Sequence, residues 1–281
     1  MSDLVDRIER HAAALPRAER RVAEVVLADP GAAAFATVAE LGRRAGTSGA
    51  TVVRLAERLG YEGWVGLQSE ARLGVEQQLR PAAERIRHAV GGDVLMQTAD
   101  REAENVRRTL AAVDRASYDA TVILLADAKR AIHVVAGDAE AGIGTFLADA
   151  LDLLRPTVGR VGGSAPAIAR QLAHTRAQDV LVAVDLRRYE RWVLDAVAQA
   201  SARGLVVIAI TDSVLSPLAQ QASATFVVTA EGAGPFDSHV GTLALVNALA
   251  TGVARCLQRT AVTRLDRIEA AWRDTGALTP D

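Results

Sequence analysis

Thr51, Arg54 and Arg58 recur at helical spacing in the run Ser48-Gly49-Ala50-Thr51-Val52-Val53-Arg54-Leu55-Ala56-Glu57-Arg58-Leu59-Gly60. A hydroxyl and two guanidinium groups on one face of a helix can hydrogen-bond base edges and phosphate oxygens, arginine gripping guanine with two donors at once. Ser48 can cap such a helix, while Gly49 and Ala50 are small enough to let its N-terminal end approach a base edge closely. Val52, Leu55, Ala56 and Leu59 fall on another face at core spacing. A second charged set lies far along the chain. Gly137-Asp138-Ala139-Glu140 and Asp185-Leu186-Arg187-Arg188 each follow an apolar run, and Ser238-His239 precede another. Carboxylates and arginines together suit a ligand bearing both signs of charge, or an organic acid. Alternatively Asp185 pairs with Arg187, Arg188 or Arg191, and the pocket is vestigial.

The elements that must carry these residues are of two kinds. The first third reads as helices only. Leu4, Ile8 and Leu15 keep helical spacing, Pro16 opens a second helix, and Asp29-Pro30-Gly31 ends it. Thr37 with Glu40 forms a capping box ahead of a short helix that stops at Ala45-Gly46, after which Ser48 opens the helix that Gly60 closes. This is the spacing of a helix-turn-helix. From about Gly74 to Ala128 the chain is polar and helical. Beyond Lys129-Arg130, β-branched runs at Ala131–Val135, Asp179–Val184, Leu205–Ile210 and Ala224–Val228, with a weaker one at Thr157–Val161, alternate with helical patterns. Strands apolar on both faces signal a mainly parallel, five-stranded sheet covered on both sides, a three-layer αβα domain. The fold class is therefore α plus α/β. The expected organisation, with bounds that follow the family resemblance given below, is a domain at 1–75 that the resemblance makes DNA-reading, a helical linker at 76–115, a domain at 116–258 that it makes ligand-binding, and a C-terminal helix and tail at 259–281.

Half of the 281 residues are hydrophobic and the net charge is −2, which suits a packed protein and decides nothing about nucleic acid, since a small domain need be basic on one face only. Cys256 is the one cysteine, so neither an internal disulfide nor a thiolate metal site is expected. Arginine replaces lysine almost throughout, Lys129 being the single exception, as genome base composition alone would explain. No apolar run is expected to reach the roughly 18–20 residues of a membrane span. The start, Met1 to Arg7, lacks the pattern of a signal peptide, and a cytoplasmic protein is expected. His133 reads as a satisfied core histidine, His174 as the end of a helix, and Trp64, Trp192 and Trp272 as packing residues.

Leu59-Gly60-Tyr61-Glu62-Gly63-Trp64 with Leu67, the stretch Glu19–Pro30, and Ser48–Arg54 closely resemble the N-terminal domain of RpiR/MurR-type transcriptional regulators. The resemblance implies a DNA-binding role for Ser48, Thr51 and Arg54, with Arg58 and Tyr61 as phosphate contacts. The C-terminal half resembles the SIS domain of the same regulators, through the strand ending at Gly137, the strand Asp179–Val184, Ala209-Ile210-Thr211-Asp212-Ser213, Ser216-Pro217-Leu218-Ala219 and the late helix near Phe236-Asp237-Ser238. It implies an effector held at the carboxyl ends of parallel strands, as this type of fold does. Gly137, Asp138, Ala139, Glu140, Asp185, Arg187, Arg188, Ser238 and His239 are the expected contacts. This chain departs from the family there. The hydroxyl-rich cradle for a sugar phosphate is replaced by Asp185-Leu186-Arg187-Arg188-Tyr189-Glu190, and Glu140 adds a second carboxylate. The resemblance further implies a homodimer or homotetramer on a near-palindromic operator of double-stranded DNA, commonly of an adjacent catabolic pathway, with no cofactor, metal or membrane. The alternative is a SIS-fold sugar-phosphate isomerase, with Glu140, Glu190 or His239 as acid and base.

Overall fold

The structure, a computed structural model, describes residues 3–11, 14–28, 30–79, 82–87, 91–214 and 216–278. It divides into two compact units, residues 1–101 with 231–237, and 102–230 with 238–281. The first is helical throughout: α1 (Asp3–His11), α2 (Arg17–Ala28), α3 (Pro30–Phe35), α4 (Val38–Arg44), α5 (Gly49–Arg58), α6 (Gly63–Leu79), α7 (Ala82–Arg87) and the start of α8 (Val94–Ala111). Leu4 and Ile8 of α1 meet Val22 and Val26 of α2, Leu41 of α4, Leu55 of α5 and its C-cap Leu59 in one core. As expected, the second helix ends here, α2 closing at Ala28; Pro30 then occupies the first position of a short further helix, α3, where its missing N–H is an orphan in any case. Asp29 lies outside the described residues.

Both helices of the helix-turn-helix are closed by glycine. Gly46 takes φ +59°, and the amides of Gly46 and Thr47 return to the carbonyls of Arg43 and Gly42 at 3.1 and 2.8 Å. Gly60 takes φ +85° and repeats the arrangement, Tyr61 donating to Ala56 at 3.0 Å. These left-handed caps satisfy the last carbonyls of each helix. Between the helices the backbone itself is the contact. A Cβ on Gly42 would stand 3.0 Å from the Gly49 nitrogen, and one on Gly49 would stand 2.8 Å from Val38 Cγ1. Gly49 is thus required by the fold, before any approach to a ligand.

The second unit begins inside the expected 76–115 linker, because Asn105 and Thr109 of α8 are buried and Thr109 Oγ1 accepts the Thr229 amide at 2.9 Å. Its elements run α9 (Arg115–Ala126), β1 (Ile132–Ala136), α10 (Ala141–Leu154), β2 (Val158–Arg160), α11 (Ala165–Ala173), β3 (Val180–Val184), α12 (Arg191–Ala202), β4 (Val206–Thr211), β5 (Ala224–Val227), α13 (Val240–Leu257) and α14 (Arg259–Thr275). The strands form one sheet in the order β2-β1-β3-β4-β5, every pair parallel, with Val134 beside Val182 and Val182 beside Ile208. The five apolar runs expected to be strands are all present. β3 is buried at every residue, since α9, α10 and α13 supply the core on one face and α11 and α12 on the other.

One expectation fails here. α13 is 18 residues long with mean hydropathy 1.5, long and apolar enough by those measures to cross a bilayer. It is the central helix of a core instead, with Leu245, Val246, Leu249 and Val253 fully buried. It meets α14 through one residue, Gln258, at φ +35° and ψ −107°. A further buried group organises the amino edge of the sheet. Arg155, 1 % exposed, donates Nε to Pro156 O at 3.1 Å, Nη1 to Leu125 O at 2.7 Å and Asp127 O at 2.9 Å, and Nη2 to Arg130 O.

Candidate DNA-reading helix and effector site

α4 starts at a complete capping box, the Glu40 amide donating to Thr37 Oγ1 at 3.2 Å and the Thr37 amide to Glu40 Oε2 at 2.7 Å. α5 starts differently from expectation. Ser48 has the extended backbone of an N-cap, but its hydroxyl makes no capping bond and instead lies 3.1 Å from Thr51 Oγ1. Thr51 also departs, being 3 % exposed and packed within the unit. Its hydroxyl additionally accepts a bond from Arg54 Nη2 at 3.1 Å. The threonine therefore holds Ser48 and Arg54 rather than facing outward. Ser48, Ala50 and Arg54 are exposed.

Arg58 is engaged inside the domain. Its Nε donates to Glu19 Oε2 at 2.6 Å, and Glu19 is 4 % exposed, so the guanidinium neutralises a buried carboxylate that would otherwise be costly. Tyr61 packs its ring on the core with the Arg7 guanidinium 4.7 Å from its centroid. Neither residue presents the free cation or hydroxyl expected of a phosphate contact. Arg43 and Arg44, in the last turn of α4, are exposed beside the turn and were not anticipated; their adjacency to Ala45-Gly46 was the available signal.

At the carboxyl ends of the strands, Gly137, Glu140 and Asp185 come together as expected. A Cβ on Gly137 would stand 2.7 Å from Glu140 Oε2, 2.8 Å from Asp185 Oδ1 and 3.2 Å from Glu190 Oε1. Glycine is required there to leave room for three carboxylates. Glu190, expected only as an acid or base of the alternative isomerase, joins them. It lies just before α12, where its Oε1 accepts the Asp138 amide at 2.6 Å, Trp192 Nε1 donates to Oε2, and its own amide donates to Asp185 Oδ2 at 2.8 Å. Trp192 is thus a positioning group as well as a packing one. Burial, reinforced by the charges of Glu190 and Asp212, pushes the Asp185 carboxyl up to about 6, although the amide of Glu190 pulls the other way. Tyr189 donates to Asp212 Oδ1 at 2.8 Å, and burial first, then that carboxylate, raises its phenol above the ordinary range.

The pairing of Asp185 with a neighbouring arginine does not occur among the described residues. Arg187 Nη2 donates to Ala230 O at 3.2 Å, and Arg188, exposed, sits at φ +70°. Asp138 and Ala139 are exposed. His239 Nδ1 lies 4.0 Å from Glu140 Oε1 at the start of α13. Ser238 is drawn off, donating to Glu102 Oε2 of α8 and accepting the Val240 amide at 3.1 Å. His133 is not a satisfied histidine: its Nε2 is buried with no hydrogen-bond partner among the described residues, and burial holds its pKa below the ordinary value. Among the described residues no group of three or more acids, histidines or cysteines is arranged to hold a metal.

A model of the helix-turn-helix domain of the rpiR family matches residues 2–78, and a SIS-domain model matches residues 124–252. The sugar isomerase domain of an RpiR transcription factor from Sphaerobacter thermophilus is 30% identical, covering 64% of this chain and 99% of that one, with a TM-score of 0.59. The Vibrio vulnificus NanR protein complexed with ManNAc-6P shares the fold over 99% of this chain and 100% of its own, at 22% identity and a TM-score of 0.58. The c3406 protein of E. coli CFT073 shares the SIS fold at 16% identity, over 59% of this chain and 92% of that one, with a TM-score of 0.50. No curated protein matches the chain in sequence. An rpiR-type helix-turn-helix joined to a SIS domain of this likeness places the chain in the RpiR family of transcriptional regulators.

Proposed function

We propose that the regulator reads duplex DNA with the exposed N-terminal end of α5, Ser48, Ala50 and Arg54 reaching base edges and Arg43 and Arg44 the flanking phosphates. The carrying observation is the Arg54–Thr51 bond, which fixes an exposed guanidinium on a helix whose other face is core. Two copies on a near-palindromic operator would set two such helices on successive major grooves. The protein works in the cytoplasm as a regulator and not as a catalyst, on genes of an adjacent catabolic pathway. Replacing Arg54 by alanine is expected to weaken binding to the DNA upstream of its own gene by about 1–3 kcal/mol, roughly 5–150-fold, and to flatten the preference for one base pair. Fluorescence anisotropy at two salt concentrations checks this, and equal affinity of the two proteins for operator and random DNA overturns it.

The effector occupies the ends of β1, β3 and β4. NanR is complexed with ManNAc-6P, yet three carboxylates crowd the space above Gly137 in this chain and would repel a phosphate. The ligand supported by that arrangement carries a positive group toward Glu140, Asp185 and Glu190, with an anionic end toward Arg187 or Arg188. In a thermal-shift screen, amino-bearing acids are expected to stabilise the protein more than phosphosugars do; stabilisation by phosphosugars alone would sink the idea. The 4.0 Å approach of His239 to Glu140 supports one rival, an isomerase acid–base pair. Turnover of a phosphosugar by the purified protein would favour it.

A further inference from the structure

A groove of about 680 Å³ opens in the second unit between α14 and residues 154–156, which lead from α10 toward β2. Its volume falls within the roughly 300–1,000 Å³ of ligand pockets. It adjoins the start of β2, at the amino edge of an all-parallel sheet, and so lies at the opposite edge from the carboxylates over Gly137. Leu154, Pro156, Leu257, Ile268 and Ala271 give it an apolar floor. Arg155, Arg259, Arg264 and Arg267 also line it, and no carboxylate does among the described residues.

These four cations are not equally neutralised. Arg264 is paired, its Nε donating to Asp152 O at 2.9 Å and its Nη2 lying 3.4 Å from Asp152 Oδ1. The guanidinium groups of Arg259 and Arg267 are exposed and make no hydrogen bond or ion pair among the described residues. Arg155 is the informative one. It is 1 % exposed, and four of its five N–H groups go to backbone carbonyls, none to a carboxylate. Asp127, whose charge does act on it, is itself bonded to Arg130 at 3.1 Å. A buried cation ordinarily has an anionic partner. Here every hydrogen-bond acceptor is a backbone carbonyl, beside a cavity that Arg259, Arg264 and Arg267 also line.

We infer that this groove is a second ligand site, taking an organic anion with a hydrocarbon body: its carboxylate meets Arg259 and Arg267, and its chain lies along Leu154, Leu257 and Ile268. The apolar floor excludes a fully hydrated inorganic ion as the best occupant, and the arginine rim excludes an uncharged or cationic one. The groove shares no lining residue with α5 or with the carboxylates over Gly137.

Octanoate is the probe, titrated calorimetrically into the full-length protein. Saturable one-to-one binding that weakens with salt is expected, together with a raised melting temperature. Acetate, which has the charge without the chain, and octylammonium, which has the chain with the opposite charge, are expected to bind at least tenfold more weakly. The double variant Arg259→Gln/Arg267→Gln, altered only at exposed positions, should lose octanoate affinity at least tenfold. Equal binding of octylammonium, or unchanged affinity in the double variant, overturns the proposal. So does an absence of octanoate binding with a change of sedimentation in the double variant, which would assign this face to a second copy of the chain.

Discussion

Arg155→Leu is expected to destabilise the SIS domain by about 3–5 kcal/mol. The leucine removes the donors on which four carbonyls depend, those of Leu125, Asp127, Arg130 and Pro156. Each buried acceptor left without a partner costs on the order of 1–3 kcal/mol, and the relief of burying no charge offsets only part of that sum. The carbonyls come from the end of α9 and the turn into β1, residues 125–130, and from Pro156 at the approach to β2, so one planar fork ties two chain segments that are distant in sequence. Arg155→Lys keeps the charge but has three donors on one atom and cannot span the same carbonyls. It should therefore fall between the leucine variant and the native protein. Urea unfolding monitored by circular dichroism measures the ranking; equal midpoints for the three proteins would show that the fork is not needed.

Asp185→Asn is expected to act in the opposite direction. The carboxyl rises from 3.8 in the unfolded chain to about 6 in the fold. The folded state therefore binds its proton more tightly than the unfolded one. Below pH 4 both states are protonated and the group exerts no penalty. As pH climbs from about 4 to 6 the unfolded chain ionises first and stability falls, and above 6 the loss is complete, at about 3 kcal/mol. The native protein should accordingly melt higher at pH 5 than at pH 7.5. Asparagine cannot ionise and its oxygen can still accept the Glu190 amide, so the variant should gain stability at pH 7.5 and lose most of this pH dependence. Calorimetric melting at both pH values is the check. A variant no more stable than the native protein at pH 7.5 would refute the account of Asp185 as a strained carboxylate. Such a loss of stability at one buried carboxylate is what a group retained for the proposed effector would show.

Much of the fold was legible because its physics is local. Strands such as Val180–Val184, apolar at every residue, can belong only to a sheet covered on both faces. Thr37 with Glu40, Gly46 and Gly60 are punctuation that acts within one or two turns. The misreadings share a different cause. The six-residue α3 that Pro30 opens, straight after the expected end of α2, is too short to show a periodicity of its own. Thr51 sits on the border between the buried and exposed faces of α5, and the hydroxyl of Ser48 settles its direction. Arg58 and its partner Glu19 are 39 residues apart. Glu190 joins Glu140 and Asp185 only because parallel strands bring their carboxyl ends to one edge. Arg155 bonds to carbonyls, which leave no trace in residue type. Charged residues were found easily; whom each one faces was not.

The single-residue joint at Gln258 has a mechanical consequence. α13 is 18 residues long, about 27 Å at 1.5 Å per residue, and runs from His239 beside Glu140 to Leu257 beside the arginine-rimmed groove. With a single residue in the corner, any reorientation of α14 must be taken up at Gln258. One unbroken helix therefore spans the domain from the strand-end acids to the arginine-rimmed groove.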